Sequence, residues 1–295
     1  MKKRFGVISL LVVCLTFVSY VYLKDDKIEE KNEDNYLKTV VFKDGDNDLI
    51  PILINFHSQV ELEKEIRNRL ELMKSKELSS YGLYPVFHED LELLSIDLKN
   101  NILTLNFNDE LYTNRDDMKV IETLAYTMTD YEEVNTLQLQ INGKNVSYLP
   151  NSLIPLSSLT QDLGLNNFEE TTYLLHQTIP VMAYQVKSFH QYSYYVPTTI
   201  RIDENASLKE QVQTILSYVN SKIHLMDTTL KDGVLTIDLQ SNILLDNESI
   251  DKSLEDLIVL SLCTLENVED VKIQIDGDDI RSQQSSKIQY NYIKI

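Results

Sequence analysis

Five positions near residue 134 (Val134, Leu137, Leu139, Ile141 and Gly143) recur as Val268, Val271, Ile273, Ile275 and Gly277, each pair 134 positions apart. Such a repeat constrains the chain more than any other feature, because an architecture open to one copy has to be open to both. The same offset carries Val120, Leu124, Ala125 and Met128 onto Leu254, Ile258, Val259 and Leu262. The spacing within both sets predicts one apolar helix face. Ahead of each helix runs an alternating segment, "NILTLNF" (Asn101 to Phe107) and "GVLTIDL" (Gly233 to Leu239), displaced by 132. Alternation predicts a strand with one buried face. The change of offset places an insertion in the intervening loop, where extra residues cost little.

Further upstream, Pro51 in "LIPILINF" and Pro197 in "YVPTTIRI" mark strand-like runs. Helical patterns follow them, at Leu62, Ile66 and Leu70 and again at Leu208, Val212 and Leu216. Here the offset is 146, because the first copy carries a longer segment, "KSKELSSYGLYPVFHEDLELLSIDLKNN", before its central strand. Each copy therefore reads β-α-β-β-α-β and ends in a turn, at Asn142-Gly143 or at Asp276-Gly277. A unit of that order buries both helices against one face of a small mixed sheet. The fold class predicted is α+β, with two tandem domains at 36–150 and 171–290 joined by a linker at 151–170. Each is expected to fold when expressed apart, and a charge placed in one core should spare the other.

The N-terminus follows another rule. Lys2, Lys3 and Arg4 precede an uncharged, mostly apolar run of 19 residues, Phe5 to Leu23. As a helix it approaches the roughly 30 Å hydrocarbon core of a bilayer. The positive flank predicts a cytoplasmic N-terminus and an extracytoplasmic body, with 1–24 as a single-pass transmembrane anchor and 25–35 as a charged tether. Two alternatives stand beside the anchor. One is a cleaved signal peptide of a secreted protein, although no alanine occurs in the first 24 residues. The other is a lipoprotein modified at Cys14, which follows "LLVV".

Charge and side-chain inventory limit the chemistry. A formal net charge of -19 repels a phosphate backbone, which argues against nucleic acid as partner. The two cysteines, Cys14 and Cys263, supply no disulfide framework. "NDE" (Asn108 to Glu110), with the carboxylates of Asp109 and Glu110, is the best local candidate for a hydrolase, but its counterpart in the second copy, "QSN", has no acid. His57, His88, His176, His190 and His224 show no metal-binding spacing. "KDGDND" (Lys43 to Asp48) places acids at alternate positions yet has Leu49 where a calcium loop needs glycine, which leaves a polar turn. We therefore expect no catalytic, cofactor-binding or metal-binding residues, no cofactor, and no enzyme. Seventeen tyrosines, densest in "YSYYVP" (Tyr192 to Pro197), are the one compositional excess. They would stack on wall sugars, form a protein-protein patch, or fill the core or the contact between domains.

Two stretches of the first copy, "SIDLKNNILTLNFNDEL" and "LAYTMTDYEEVNTLQLQINGK", resemble the GerM domain of the sporulation and spore germination family. "VLTIDLQSNI" and "SLCTLENVEDVKIQIDGD" resemble it again, and "YLPNSLIPLSSLTQDLGLNN" is similar to the family's linking stretch. The second copy departs in its shortened first half and in Cys263, which stands where the first has Thr129. The resemblance implies tandem domains behind a membrane anchor or lipid. It also implies a fold related to the ring-building domains of the channel between mother cell and forespore, and no known catalysis. On that reading the protein is a scaffold for envelope proteins, among them those of a sporulation channel complex. Its docking surfaces would include exposed helix positions such as Glu122 and Glu255. A module that binds cell-wall polymer, with peptidoglycan as partner, is the alternative.

Overall fold

The computed structural model describes residues 36–56, 61–113, 116–152, 154–167, 177–245, 249–285 and 291–293. The expected anchor and tether, together with Cys14, His57 and His176, lie outside them. Among the described residues no helix is long and apolar enough to cross a membrane.

The first repeat runs β1 (Leu37–Lys43), β2 (Leu49–Asn55), α1 (Leu62–Lys74), β3 (Leu93–Lys99), β4 (Ile102–Phe107), α2 (Asp117–Met128), β5 (Thr136–Ile141) and β6 (Lys144–Asn145). The second runs β7 (Thr178–Phe189), β8 (Tyr192–Asp203), α3 (Leu208–Val219), β9 (Leu225–Lys231), β10 (Val234–Leu239), α4 (Lys252–Leu262), β11 (Asp270–Ile275) and β12 (Asp278–Ser285), and β13 (Tyr292–Ile293) follows. Each copy thus gains a strand before and after the six expected elements. The missed leading strands, β1 and β7, are the first arms of hairpins whose second arms carry Pro51 and Pro197.

Local chemistry explains the boundaries. Asp116 caps α2 by accepting the Lys119 N–H at 3.3 Å, and Asp251 caps α4 by accepting from Ser253 and Leu254. Ser207 and Glu210 close a capping box on α3. Asn142 and Asp276, with φ of 48° and 49°, precede Gly143 and Gly277 in tight turns that need left-handed backbone at both positions. The two halves match in register. β4 pairs parallel with β5, Leu103 opposite Leu137, as β10 pairs with β11, Leu235 opposite Val271.

The layering differs from the expected single sheet face. The main sheets have the orders β3-β4-β5-β6 and β12-β11-β10-β9, and neither contains the hairpin of its repeat. In the second repeat one core joins Val181 and Ile200 of the hairpin, Val212, Ile215, Ile258 and Leu262 of the helices, and Leu235 and Ile273 of the sheet. The helices are therefore a middle layer, with apolar groups above and below. This explains why α2 buries Val120, Ile121, Glu122, Thr123, Leu124 and Ala125 in succession, a run no one-sided helix would show.

Arg69 is the largest fully buried side chain. Its guanidinium donates to the Thr39 carbonyl from Nε at 3.1 Å and Nη2 at 2.5 Å, and Nη2 lies 3.4 Å from Asp130 Oδ2. It also stands 4.9 Å from the centre of the Tyr131 ring. A single cation so ties β1, α1 and the end of α2.

Candidate functional site

The side chains best organised for a purpose lie where the two repeats meet. Residues Leu37–Ile54 and Val60–Ile295 form one compact unit, so the repeats are packed together. The expected linker is built into the first repeat: Leu156, Leu159, Leu163 and Leu165 are buried, and Leu159 bridges Leu137 of β5.

Two asparagines then join β2 to β8. Asn166 Oδ1 accepts the Leu49 N–H at 2.7 Å, and its Nδ2 donates to the carbonyls of Leu49 at 2.8 Å and Pro197 at 2.7 Å. Asn291 Oδ1 accepts the Tyr195 N–H at 2.8 Å, and its Nδ2 donates to the carbonyls of Tyr195 at 2.7 Å and Pro51 at 2.9 Å. Leu49 and Tyr195 are equivalent under the 146-residue offset, as are Pro51 and Pro197. Each asparagine thus grips its own repeat twice and the other repeat's proline carbonyl once, an arrangement with approximate twofold symmetry. Both adopt left-handed backbone, with φ of 52° and 54°, which asparagine tolerates better than most residues. The segments that carry them also cross over. Leu165 accepts the Thr199 N–H of β8, and β13, directly after Asn291, pairs parallel with β2.

Glu122 stands behind the first clamp. Fully buried on α2, it accepts the backbone N–H of Asn166 at 3.1 Å and of Asn167 at 2.9 Å. Lys119 Nζ lies 3.9 Å away and donates to Asn166 Oδ1 at 2.9 Å. Burial pushes the Glu122 carboxyl up to about 7, against the lowering effect of Lys119 and the two N–H groups. The expectation that Glu122 is exposed is therefore corrected: the second helix of a repeat is enclosed on both sides. Glu255 on α4 is also largely covered, with its side chain 13% exposed.

The densest tyrosines belong to this joint. Tyr194 is buried and donates its hydroxyl to the Tyr81 carbonyl at 2.8 Å, and the Tyr192 ring lies 4.7 Å from that of Tyr81. Tyr81 and Gly82 come from the extra segment of the first repeat. A Cβ at Gly82 would meet Phe189 Cγ at 2.4 Å, so the β7–β8 tip fits closely against this segment.

"KDGDND" is a turn between β1 and β2, and it faces the same hairpin. Lys187 Nζ of β7 lies 3.0 Å from Asp44 and 3.3 Å from Asp46, and contacts Asp48 as well. Burial alone would lower the Lys187 ammonium, but hydrogen bonds to these carboxylates hold it above its ordinary value. Lys187→Met is expected to cost about 1 kcal/mol, because the group is partly solvated. Urea unfolding at low and high salt checks this: the cost should shrink as salt screens the remaining carboxylates.

The other sequence candidates do not converge. Asp109 and Glu110 lie in one short turn, where Glu110 accepts the Thr113 hydroxyl and stands 3.5 Å from His88. His190, in the β7–β8 turn, and His224, just before β9, are both exposed. Cys263 is half-buried, its thiol pushed up to about 11 by burial and then by Asp270. Among the described residues no group of three or more His, Cys, Asp or Glu is placed to hold a metal ion. A cavity of about 370 Å³ lies beside α1 in the first repeat, lined in part by Leu70, Phe87, Leu91 and Phe107. Sequence reading missed Asn166, Asn291 and Glu122 as joint residues. The one signal available was the Asn166-Asn167 pair that closes the stretch similar to the family's linking segment.

Comparisons with known proteins agree with the repeat. The model of the Germane family, described as sporulation and spore germination, matches residues 22–147 and 184–281. The spore germination protein GerM of Bacillus subtilis (strain 168) is 24% identical over 205 residues, which is 62% of this chain and 56% of that protein's length. The solved tandem GerMN domains of the sporulation protein GerM from Bacillus subtilis superpose with a TM-score of 0.68 at 20% identity, covering 86% of this chain and 99% of that one. The shared fold is thus a mixed α/β tandem of two GerMN domains. With one matched segment on each repeat, the protein belongs to the Germane family of sporulation and spore germination proteins.

Proposed function

We propose that this protein is a non-enzymatic, membrane-anchored scaffold that presents two fused repeats outside the cytoplasm to protein partners of an envelope complex in sporulation or germination. The observation that carries this reading is the reciprocal clamp. Buried hydrogen bonds are spent on fixing one repeat against the other, as a presented surface requires, and the candidate carboxylates and histidines stay scattered. Family membership supplies the biological setting, and similarity to GerM supports it. The apolar run Phe5–Leu23 supports the anchor, and confinement to one membrane plane would raise the effective concentration of partners. We further infer that each repeat is related to the ring-building domains, with domain limits at 36–150 and 171–290. Enclosure of α2 and α4 leaves α1, α3 and the outer sheet faces for docking.

The packing of the Tyr192 ring and the Tyr194 hydroxyl against Tyr81 weighs against a wall-polymer module built on these side chains. Fractionation and crosslinking test the proposal together. Full-length protein should stay in the membrane and crosslink to envelope proteins in intact cells. Charge reversal at Lys64 or Glu71, exposed on α1, should weaken crosslinking without unfolding either repeat. A product shortened by about 20 residues and released to the medium would refute the anchor. Crosslinking that yields only monomer, with a wall hydrolysis abolished by Asp109→Asn or Glu110→Gln, would replace the scaffold by an enzyme.

A further inference from the structure

We propose that residues 291–293 are a releasable strap, and that the part of β2 they cover is an acceptor site for the same strap of a second copy of this chain. The site is defined by the occupant it already holds. β13 lies at the edge of the β1-β2-β13 sheet, with Tyr292 opposite Leu53 and Ile293 opposite Ile54. The Leu53 N–H donates to the Asn291 carbonyl at 2.9 Å, and the Asn291 side chain holds Pro51 and Tyr195. A strand that enters here needs an asparagine in left-handed backbone and, two residues on, an apolar side chain for the buried place of Ile293. A second copy carries that sequence.

The two straps of the joint are not held equally. Beyond the three side-chain bonds of Asn166, the Glu122 carboxylate accepts the N–H groups of Asn166 and Asn167, and Lys119 donates to Asn166 Oδ1. Thr199 adds two more: its N–H donates to the Leu165 carbonyl at 2.9 Å, and its hydroxyl accepts the Leu165 N–H at 2.8 Å. Among the described residues the second strap has the three side-chain bonds of Asn291 and the one from Leu53. The position equivalent to Glu122, 134 residues on, is Asp256, and it is engaged elsewhere, 2.9 Å from Lys252 Nζ and accepting the Tyr195 hydroxyl at 3.3 Å. The Asn291 strap is the half of the joint that opens first.

Exchange between copies sacrifices no bond. Every contact broken when the strap leaves its own β2 is remade on the β2 of the other copy, so release and concentration set the extent of exchange. The incoming Asn291 also grips Tyr195 of β8, which closes the accepting copy's joint with a residue from its partner. This goes beyond the scaffold reading and does not depend on it.

Full-length chains with Cys14 and Cys263 replaced by serine, one carrying Leu53→Cys and the other Tyr292→Cys, test the exchange, because these positions face each other across β2 and β13. After mixing and oxidation with copper phenanthroline, a disulfide-linked dimer of the two chains is expected, with a yield that rises with concentration. Asn291→Ala in the Tyr292→Cys chain should cut that yield more than about tenfold. A chain carrying both cysteines should close within itself when dilute. Such closure with no mixed dimer at any concentration overturns the exchange, as does a mixed dimer that forms equally well with Asn291→Ala. Should the cysteine chains fail to fold, or the double one fail to close, the wild-type chain under reducing conditions decides. Support then requires a Leu53 amide that opens to hydrogen exchange more than about tenfold more often than that of Thr199, together with a dimer in sedimentation that Asn291→Ala abolishes. Equal protection of the two amides, a monomer at every concentration, or a dimer indifferent to Asn291→Ala overturns the proposal.

Discussion

Leu124→Asp is expected to abolish cooperative folding of the first repeat and to lower the unfolding midpoint of the second. Leu124 is fully buried in α2. An aspartate there loses the leucine's packing and is sealed from water. It either stays charged without a partner or takes up a proton at a cost, roughly 5 kcal/mol in sum. That is comparable with the whole stability of an ordinary domain. The damage should spread, because α2 also carries Glu122, which holds the Asn166 segment against β8. Ile258→Asp, at the equivalent fully buried position of α4, should act the same way from the other side. Denaturant unfolding read by probes in each repeat measures this. Wild-type behaviour of the untouched repeat would show two independent folding units, as the sequence alone suggests.

The elements that sequence reading recovered are those with strong local periodicity. The helix faces at Leu124 and Ile258, the alternating strands β4 and β10, and the Asn-Gly and Asp-Gly turns all sit where the pattern places them. Local pattern could not show which side of a helix faces water once a second layer covers it. Glu122 reads as an outward residue of an amphipathic helix because its partners Asn166 and Asn167 lie 44 and 45 positions downstream. Arg69 was hidden for the same reason: its partners Thr39 and Asp130 are 30 and 61 positions away. β13 has only two residues and no alternation to reveal it. The extra segment of the first repeat was visible as a change of offset. Its use became clear only from Gly82 lying against Phe189 and Tyr81 against Tyr192.

Asn166→Ala is expected to lower stability by about 3 kcal/mol or more and to loosen the two repeats together. The substitution leaves the Leu49 N–H and the Leu49 and Pro197 carbonyls without their partner, at a site only 7% exposed. Each orphaned buried group costs about 1–3 kcal/mol. Alanine also resists the left-handed backbone at this position, which adds about 1 kcal/mol. Asn166→Gly separates the two causes, because glycine accepts the backbone and still lacks the amide. If the clamp is what matters, the glycine variant should recover only the smaller part. Asn291→Ala removes the symmetry-related bonds and should cost nearly as much, and the double variant should cost less than the two combined, since either loss already lets β2 and β8 part. Chemical denaturation of the four variants checks this series. Full recovery by Asn166→Gly, or strict additivity of the two alanine variants, would mean that the asparagines serve their own turns and do not hold the repeats to each other.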